Sequence, residues 1–335
     1  MMVDQFFQAY LVAYMVVFTM TAGGLCVLLL HLLVGGEWGR VSRKPLRAMS
    51  HLWPWMALLF IPIVIGAHSI YPWLRPEVAA DLGRKATWLT LPFFTARAVF
   101  YFVFFYLVAR RCRQLLDYKV PNTPPEYYQK PAGLGMIFFS IICSIASFDW
   151  MMSLEPHWAS TIYGVLIVMG ANLTCMAILI ITLAWMQNPA RPVEVSVKAS
   201  HDLGNLMFAF IIFWTYVEVS QYIIIWSGNL PEEIPWYLVR NSHGWKIVSW
   251  ILVLTQFVIP FLLLLAQSRK KNLNRLAKVA LYVLAIRVLD IFWLIAPDFM
   301  NGHFHLPLWY PVEIAVLVGF WFFLYRRQLN KEWLA

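Results

Sequence analysis

Charge is what this sequence has least of. Asp, Glu, Lys and Arg make up 13% of its 335 residues, while 61% are apolar. A soluble globular domain carries about 25% charged residues, so that class is excluded. Cysteine is almost as scarce: Cys26, Cys112, Cys143 and Cys175 are scattered, with no CxxC, no CxxCH and no cysteine–histidine cluster. Haem c, iron–sulfur clusters and structural zinc therefore lack ligands in this chain, and four buried apolar thiols are expected instead. Histidines are few and badly placed for haem b. His31, His51 and His201 fall at one set of helix ends and His157, His243, His303 and His305 at the other, so no mid-depth pair exists; a His31–His201 pair near one face is the geometry that remains. Internal repeats, low-complexity tracts and linkers are missing too. The longest connection, between the third and fourth apolar runs, is about 20 residues, too short for an extramembrane core. The opening MMVDQFFQAY has an acid where a secretory signal would have basic residues, so the first apolar run is expected to be retained. One integral membrane domain over residues 1–335 is the expectation.

What the sequence has is long apolar runs. A crossing helix needs about 20 residues, because every backbone group in hydrocarbon must bond within its own segment. Nine runs meet or approach that length, at 6–34, 51–72, 88–109, 131–152, 160–186, 203–227, 245–266, 276–297 and 309–325. The fold class expected is all-α, a polytopic membrane protein of about nine transmembrane helices. The net charge of +9 is topological and does not point to nucleic acid. Eighteen Lys and Arg, Lys119 and Arg191 among them, fall in alternate connections and the C-terminal tail, five fall in the opposite connections, and Arg97, Lys278 and Arg287 lie within helices. Basic residues stay on the cytoplasmic side, so the N-terminus is expected outside and the C-terminus in the cytoplasm. Two loops are long enough to dock partners: DYKVPNTPPEYYQKP at 117–131 inside and NLPEEIPWYLVRN at 229–241 outside.

A charge at the membrane centre costs about 2.5–3.5 kcal/mol, so each one there needs a partner, a water-filled cavity or a task. His68, Arg97, Asp149, Glu218, Arg287, Asp290 and Glu313 are the candidates, most of them in the outer half. Arg287 and Asp290 stand three apart and can pair along one helix face. Glu218 shares a polar stripe with Gln221 and Tyr222; it is either an inert protonated acid bonded to Gln221 or a proton site. Arg97 cannot lose its charge and needs an acid from another helix or a bound polar group. His68 can hydrogen-bond a quinone carbonyl or serve the structure, and Glu313 is near enough to the surface to be merely solvated.

The string FDWMMSLEPHWASTIYG at 148–164 is too rich in specific polar and aromatic residues for a plain connection. With LFIPIVIGAHSIYPW at 59–73, PFFTARAVFYF at 92–102, HDLGNLMFAFIIFW at 201–214, SQYIIIWSGNLPEE at 220–233, GWKIVSW at 244–250 and LDIFWLIAP at 289–297, it resembles the ActF-type membrane subunit of alternative complex III, a quinol:electron-acceptor oxidoreductase. The resemblance implies an NrfD-like pair of four-helix bundles in a bacterial inner membrane. It implies quinol oxidation near the outer face and partners comprising a paralogous NrfD-like subunit and subunits carrying haem c and iron–sulfur clusters. It implies no redox metal here, with quinone binding or a proton path as the candidate tasks. The matching positions are Arg97, Asp149, Glu155, His157, His201, Asp202 and Asp290. Asp149, Glu155 and His157 would form a proton-exit cluster or hold the turn together, with Asp149 capping backbone amides. The chain departs from the ten-helix pattern by starting on what resembles the second helix, and by placing Glu218 where a small apolar residue is expected. A stand-alone transporter or proton channel, and a membrane anchor for another NrfD-type reductase, are the alternatives.

Overall fold

Apolar runs of this length can satisfy their backbones in lipid only as helices or closed barrels, and this chain forms helices. The computed structural model describes residues 2–117, 125–187, 194–242, 244–300 and 303–334, and among them there is no strand. Lys119, Arg191, His243 and the 118–124 part of the proline-rich loop lie outside the described residues. The main helices are α1 (Met2–Val34), α2 (Glu37–Ser50), α3 (Trp53–Ile65), α4 (Leu91–Asp117) and α5 (Glu126–Trp150). They continue as α6 (Tyr163–Met186), α7 (Val197–Gly228), α8 (Trp245–Leu265), α9 (Leu273–Phe299) and α10 (Trp309–Leu334). Seven are long and apolar enough to cross a membrane, and an eighth crossing results if α2 and α3, which meet at 41°, count as one bent span. The architecture is that of an all-helical, multi-pass membrane protein.

Three runs depart from straight spans. The run at 51–72 breaks up: α3 stops at Ile65, one turn follows at Ala67–Ile70, and Pro72 holds Tyr71 extended at φ −100° and ψ 115°. The stretch before it, read as a connection, is the amphipathic helix α2, which buries Trp38, Leu46 and Met49 and turns Arg40 outward. Within α8, residues Val253–Val258 form a π-helical turn. Pro260 has no N–H to give the carbonyl four residues back, so the regular ladder fails at Gln256. The run at 309–325 lies in α10, a 26-residue helix whose apolar part ends at Arg326 and Arg327, at the lower limit of the length a crossing needs, and it is not one of the seven.

The helices pack as two groups of four, α1 with α3, α4 and α5, and α6 with α7, α8 and α9, while α10 lies against α1 and α2. The seam between the groups is α1 on α6. Gly23 sets its closeness: a Cβ there would stand 1.9 Å from the carbonyl oxygen of Ala171. Both seam helices are almost wholly enclosed, whereas α4, α5, α7 and α8 turn most of their surface outward. That surface carries Val99, Phe100, Val103, Leu107, Ile137, Phe138 and Ile141, an apolar belt suited to lipid and far beyond what a soluble monomer exposes. Inside the first group Trp150 packs on Phe18, Phe60 and Phe102, and Trp53 stacks on Phe105 at 4.5 Å between ring centres. All four cysteines are buried thiols.

The two ends of the assembly differ. One, here the N-terminal face, gathers the start of α1, the 150–163 turn, the helix Ile234–Arg240 and the end of α9; Trp158 stacks on Trp236 there, 4.8 Å apart. The other, the basic face, holds Arg47 paired with Asp117 and Glu332. There Arg113 donates to the Ser50 carbonyl at 2.6 Å, and Ser200 donates to the Lys270 carbonyl at 2.8 Å.

Candidate functional site

Each helical group contains a buried ion pair, and the two pairs are built differently. In the first group Arg97 of α4 meets Asp149 of α5. Nε donates to Oδ2 at 2.7 Å and Nη2 to Oδ1 at 2.9 Å, the two-pronged match between guanidinium and carboxylate. The remaining contacts are taken as well. Nη1 donates to the Trp88 carbonyl at 2.9 Å, the Trp88 indole donates to Oδ1 at 2.8 Å, and the Tyr101 hydroxyl donates to Oδ2 at 2.6 Å. The guanidinium carbon lies 4.2 Å from the Trp88 ring centre and 4.4 Å from that of Phe93. The Asp149 carboxylate thus bonds side chains of α4 and its approach, and among the described residues it caps no backbone amide. Beside this clasp is a cavity of about 310 Å³ lined chiefly by Lys85, Trp88, Ile145, Phe148, Met152 and Trp158, with Asp149 on its wall.

In the second group Arg287 pairs with Asp290 one turn along α9. Its Nε also reaches Thr174 Oγ1 of α6 at 3.4 Å, and its guanidinium carbon lies 5.8 Å from the ring centre of Trp214 on α7. Gly170 makes room for it, since a Cβ there would stand 2.1 Å from Nη2. Beside the pair is Glu218 of α7, whose strongest electrostatic neighbours are Asp290, Arg287 and Arg240. Its Oε2 is buried and has no hydrogen-bond partner. The bond to Gln221 allowed by their spacing is not the one formed: Gln221 accepts from Ser160 at 3.0 Å and donates to the Tyr237 hydroxyl at 3.2 Å.

Further charges close the N-terminal end of this group. Arg240, 1% exposed, donates to the Leu294 carbonyl at 2.7 Å and pairs with Asp298 at 3.0 Å, its guanidinium 3.7 Å from the Trp236 ring centre. Glu155 stands near them. Burial first, and then the Asp298 charge, push its carboxyl up to about 6, with Arg240 pulling the other way. Tyr163 at the head of α6 is buried, with Arg240, Asp298, Asp290 and Glu218 as its charged surroundings.

The sequence candidates therefore divide. Arg97 and Asp149 come together, as do Arg287, Asp290 and Glu218, while Glu155 joins the second set and not Asp149. His68 and His157 are exposed on the N-terminal face. His201 and Asp202 lie at the other end of α7, with Asp202 16 residues from Glu218, or about 24 Å along a helix. His31 accepts from Arg43 Nε at 3.3 Å. Glu313, expected to be merely solvated, is instead buried at 8% exposure. Sequence reasoning missed Arg240, Asp298 and Gln256. Trp236 four residues before Arg240 is a cation–π spacing that could have flagged the first, and an amide inside the apolar run VLTQFVIP the last. Among the described residues no three His, Cys, Asp or Glu side chains converge as metal ligands. No protein-family model matches the chain, and no curated protein sequence matches it.

Proposed function

We propose that this protein is a membrane subunit of a quinol-oxidising electron-transfer complex of the alternative complex III type, and that its second helical group conducts protons towards the outer face. In this reading the chain crosses a bacterial inner membrane nine times, α10 included, with the N-terminal face outside. The gathering of basic residues on the opposite face supports that orientation.

The observation that carries the proton reading is the line of ionisable groups from Arg287, Asp290 and Glu218 through Tyr163 to Arg240, Asp298 and Glu155. Buried ionisable groups in a membrane protein are costly and are retained for tasks. Glu218 and Asp290 hold the proton at mid-depth, and Glu155, half-buried at the face, releases it to water. Arg97 is committed to Asp149, so a quinone ring would take the apolar cavity beside Trp88 and Lys85, with His68 outside it. Redox centres belong to the partners: the paralogous NrfD-like subunit and those carrying haem c and iron–sulfur clusters.

Affinity purification of the tagged protein from its own membranes is expected to bring haem-bearing partners with it. Recovery as a stable, active protein alone would overturn the assignment. In proteoliposomes of the intact complex, Glu218→Gln is expected to lower the proton-to-electron ratio, and an unchanged ratio removes Glu218 from the path. A stand-alone proton channel is the second reading, favoured by the confinement of the whole line to one chain. It predicts proton flux in liposomes holding only this protein.

A further inference from the structure

The π-helical turn of α8 carries Gln256, 2% exposed, and neither its amide nitrogen nor its amide oxygen has a hydrogen-bond partner. A buried primary amide with both ends unpaired is rare, because removing it from water without replacement bonds is costly. Its depth can be fixed from two contacts between helices. Trp293 of α9 donates to Ser249 of α8 at 2.9 Å, and Phe208 of α7 packs on Phe261 of α8 with ring centres 5.3 Å apart. Gln256 lies seven residues past Ser249, which places it level with Ile286 and Arg287 on the antiparallel α9. It lies five residues before Phe261, level with Phe213 and Trp214 on α7. The two estimates agree, since Arg287 is also the residue that stands over Trp214. At one depth of the second group thus lie the Gln256 amide, the unpaired indole N–H of Trp214 and, one turn nearer the N-terminal face, the unpaired Oε2 of Glu218.

We infer that this layer holds a cluster of internal water bonded to Gln256, Trp214 and Glu218. The mixture of partners selects the ligand. Gln256 Nε2 and Trp214 Nε1 donate, while Gln256 Oε1 and Glu218 Oε2 accept. An ion satisfies groups of one kind only, whereas each water both donates and accepts, and buried water characteristically takes about three such bonds. The indole alone would not carry this. Trp53 and Trp150 of the first group also have unpaired N–H groups, but their rings are stacked on other aromatic rings, Trp53 on Phe105 and Trp150 on Phe102. The π-turn is what aims an amide inward here, as such turns often do at working sites. As an inward extension of the proton line, the cluster rests on the proposed function; as a hydration site it stands on the unpaired atoms.

Radiolytic footprinting of the full-length protein in lipid nanodiscs, in ¹⁸O-labelled water with mass-spectrometric readout, tests it. Radicals formed from bound water label the side chains next to it. Trp214 is expected to take up label several-fold faster than Trp53 and Trp150, and Gln256→Leu is expected to reduce the Trp214 rate several-fold. Equal rates at the three tryptophans in the unaltered protein, or a Trp214 rate unchanged by Gln256→Leu, would overturn the cluster. The first comparison needs no variant, so a misfolded Gln256→Leu does not blunt the test. If Trp214 labels as expected while Glu218→Gln leaves the proton-to-electron ratio intact, the water stands and the proton reading falls.

Discussion

Arg97 with Asp149 in the first helical group and Arg287 with Asp290 in the second are both buried arginine–aspartate pairs, yet only the first of these two is chemically closed. Around Arg97 and Asp149 each guanidinium nitrogen and each carboxylate oxygen has a partner in Trp88, Tyr101 or each other, and two aromatic faces cover the guanidinium. Beside Arg287 and Asp290 is an acid with an unpaired oxygen, and level with them on α8 is an amide with two unpaired atoms. A saturated network locks two helices, because no member can move without losing a bond. An unsaturated one has bonding capacity left for water and protons. The same residue types thus serve opposite ends, and the difference lies in what surrounds them.

The comparison can be broken most forcefully on the closed side. Removing one partner of a buried pair leaves an uncompensated charge, so Asp149→Ala is expected to cost about 3–5 kcal/mol. Thermal unfolding in detergent should show it as the largest loss of stability among these variants. The Arg97→Met, Asp149→Leu double variant should recover much of that loss, because no lone charge remains; if it does not, the clasp is more than a pair. Gly170→Ala comes next. Its Cβ would meet the Arg287 guanidinium, and overpacking of this kind costs about 1–3 kcal/mol. Shifting that group should change proton transfer as well as the unfolding temperature.

Glu218→Gln is expected to leave stability within about 1 kcal/mol, because it breaks no bond of the carboxyl's unpaired oxygen and removes a buried acid. The same change should lower the proton-to-electron ratio. A loss of stability as large as that of Asp149→Ala would erase the distinction between the groups. The smallest effect is a pH dependence. Glu155 has its carboxyl raised to about 6, so the protonated form is the one the fold favours. Its contribution is fully present below the ordinary carboxylate range and is lost as pH rises through about 6. Glu155→Gln should flatten that part of a plot of unfolding temperature against pH.

Hydropathy made most of the helices legible, because a membrane span is a local property of about 20 consecutive residues. It failed where geometry is not local. The 51–72 run satisfies any window, yet its helix stops at Ile65 and the single turn that follows ends at Tyr71, before Pro72. The basic stretch 37–50 reads as a loop by charge, although Trp38, Leu46 and Met49 fall on one face. At the site, the need of Arg97 for an acid followed from its fixed charge, but which acid did not, since Asp149 is 52 residues away. Arg240 was misread for a related reason. A basic residue in a connection is normally solvated, and only the folding of Ile234–Arg240 back over the end of α9 buries it against Asp298.

The enclosure of α1 bears on how the protein is made. It precedes α5, α6, α9 and α10, which cover it, in the chain, so it enters the bilayer before them, and its strongly apolar sequence lets it wait in lipid. Arg287 and Asp290 lie on α9, near the end of the chain, so the pocket formed by Gly170 and Thr174 of α6 is already in the membrane when they arrive. The order of translation delivers the receptor for that charge before the charge itself. Arg97 has the reverse schedule, since α4 emerges before α5 brings Asp149, and is the point at which insertion would first stall if the following helix were delayed.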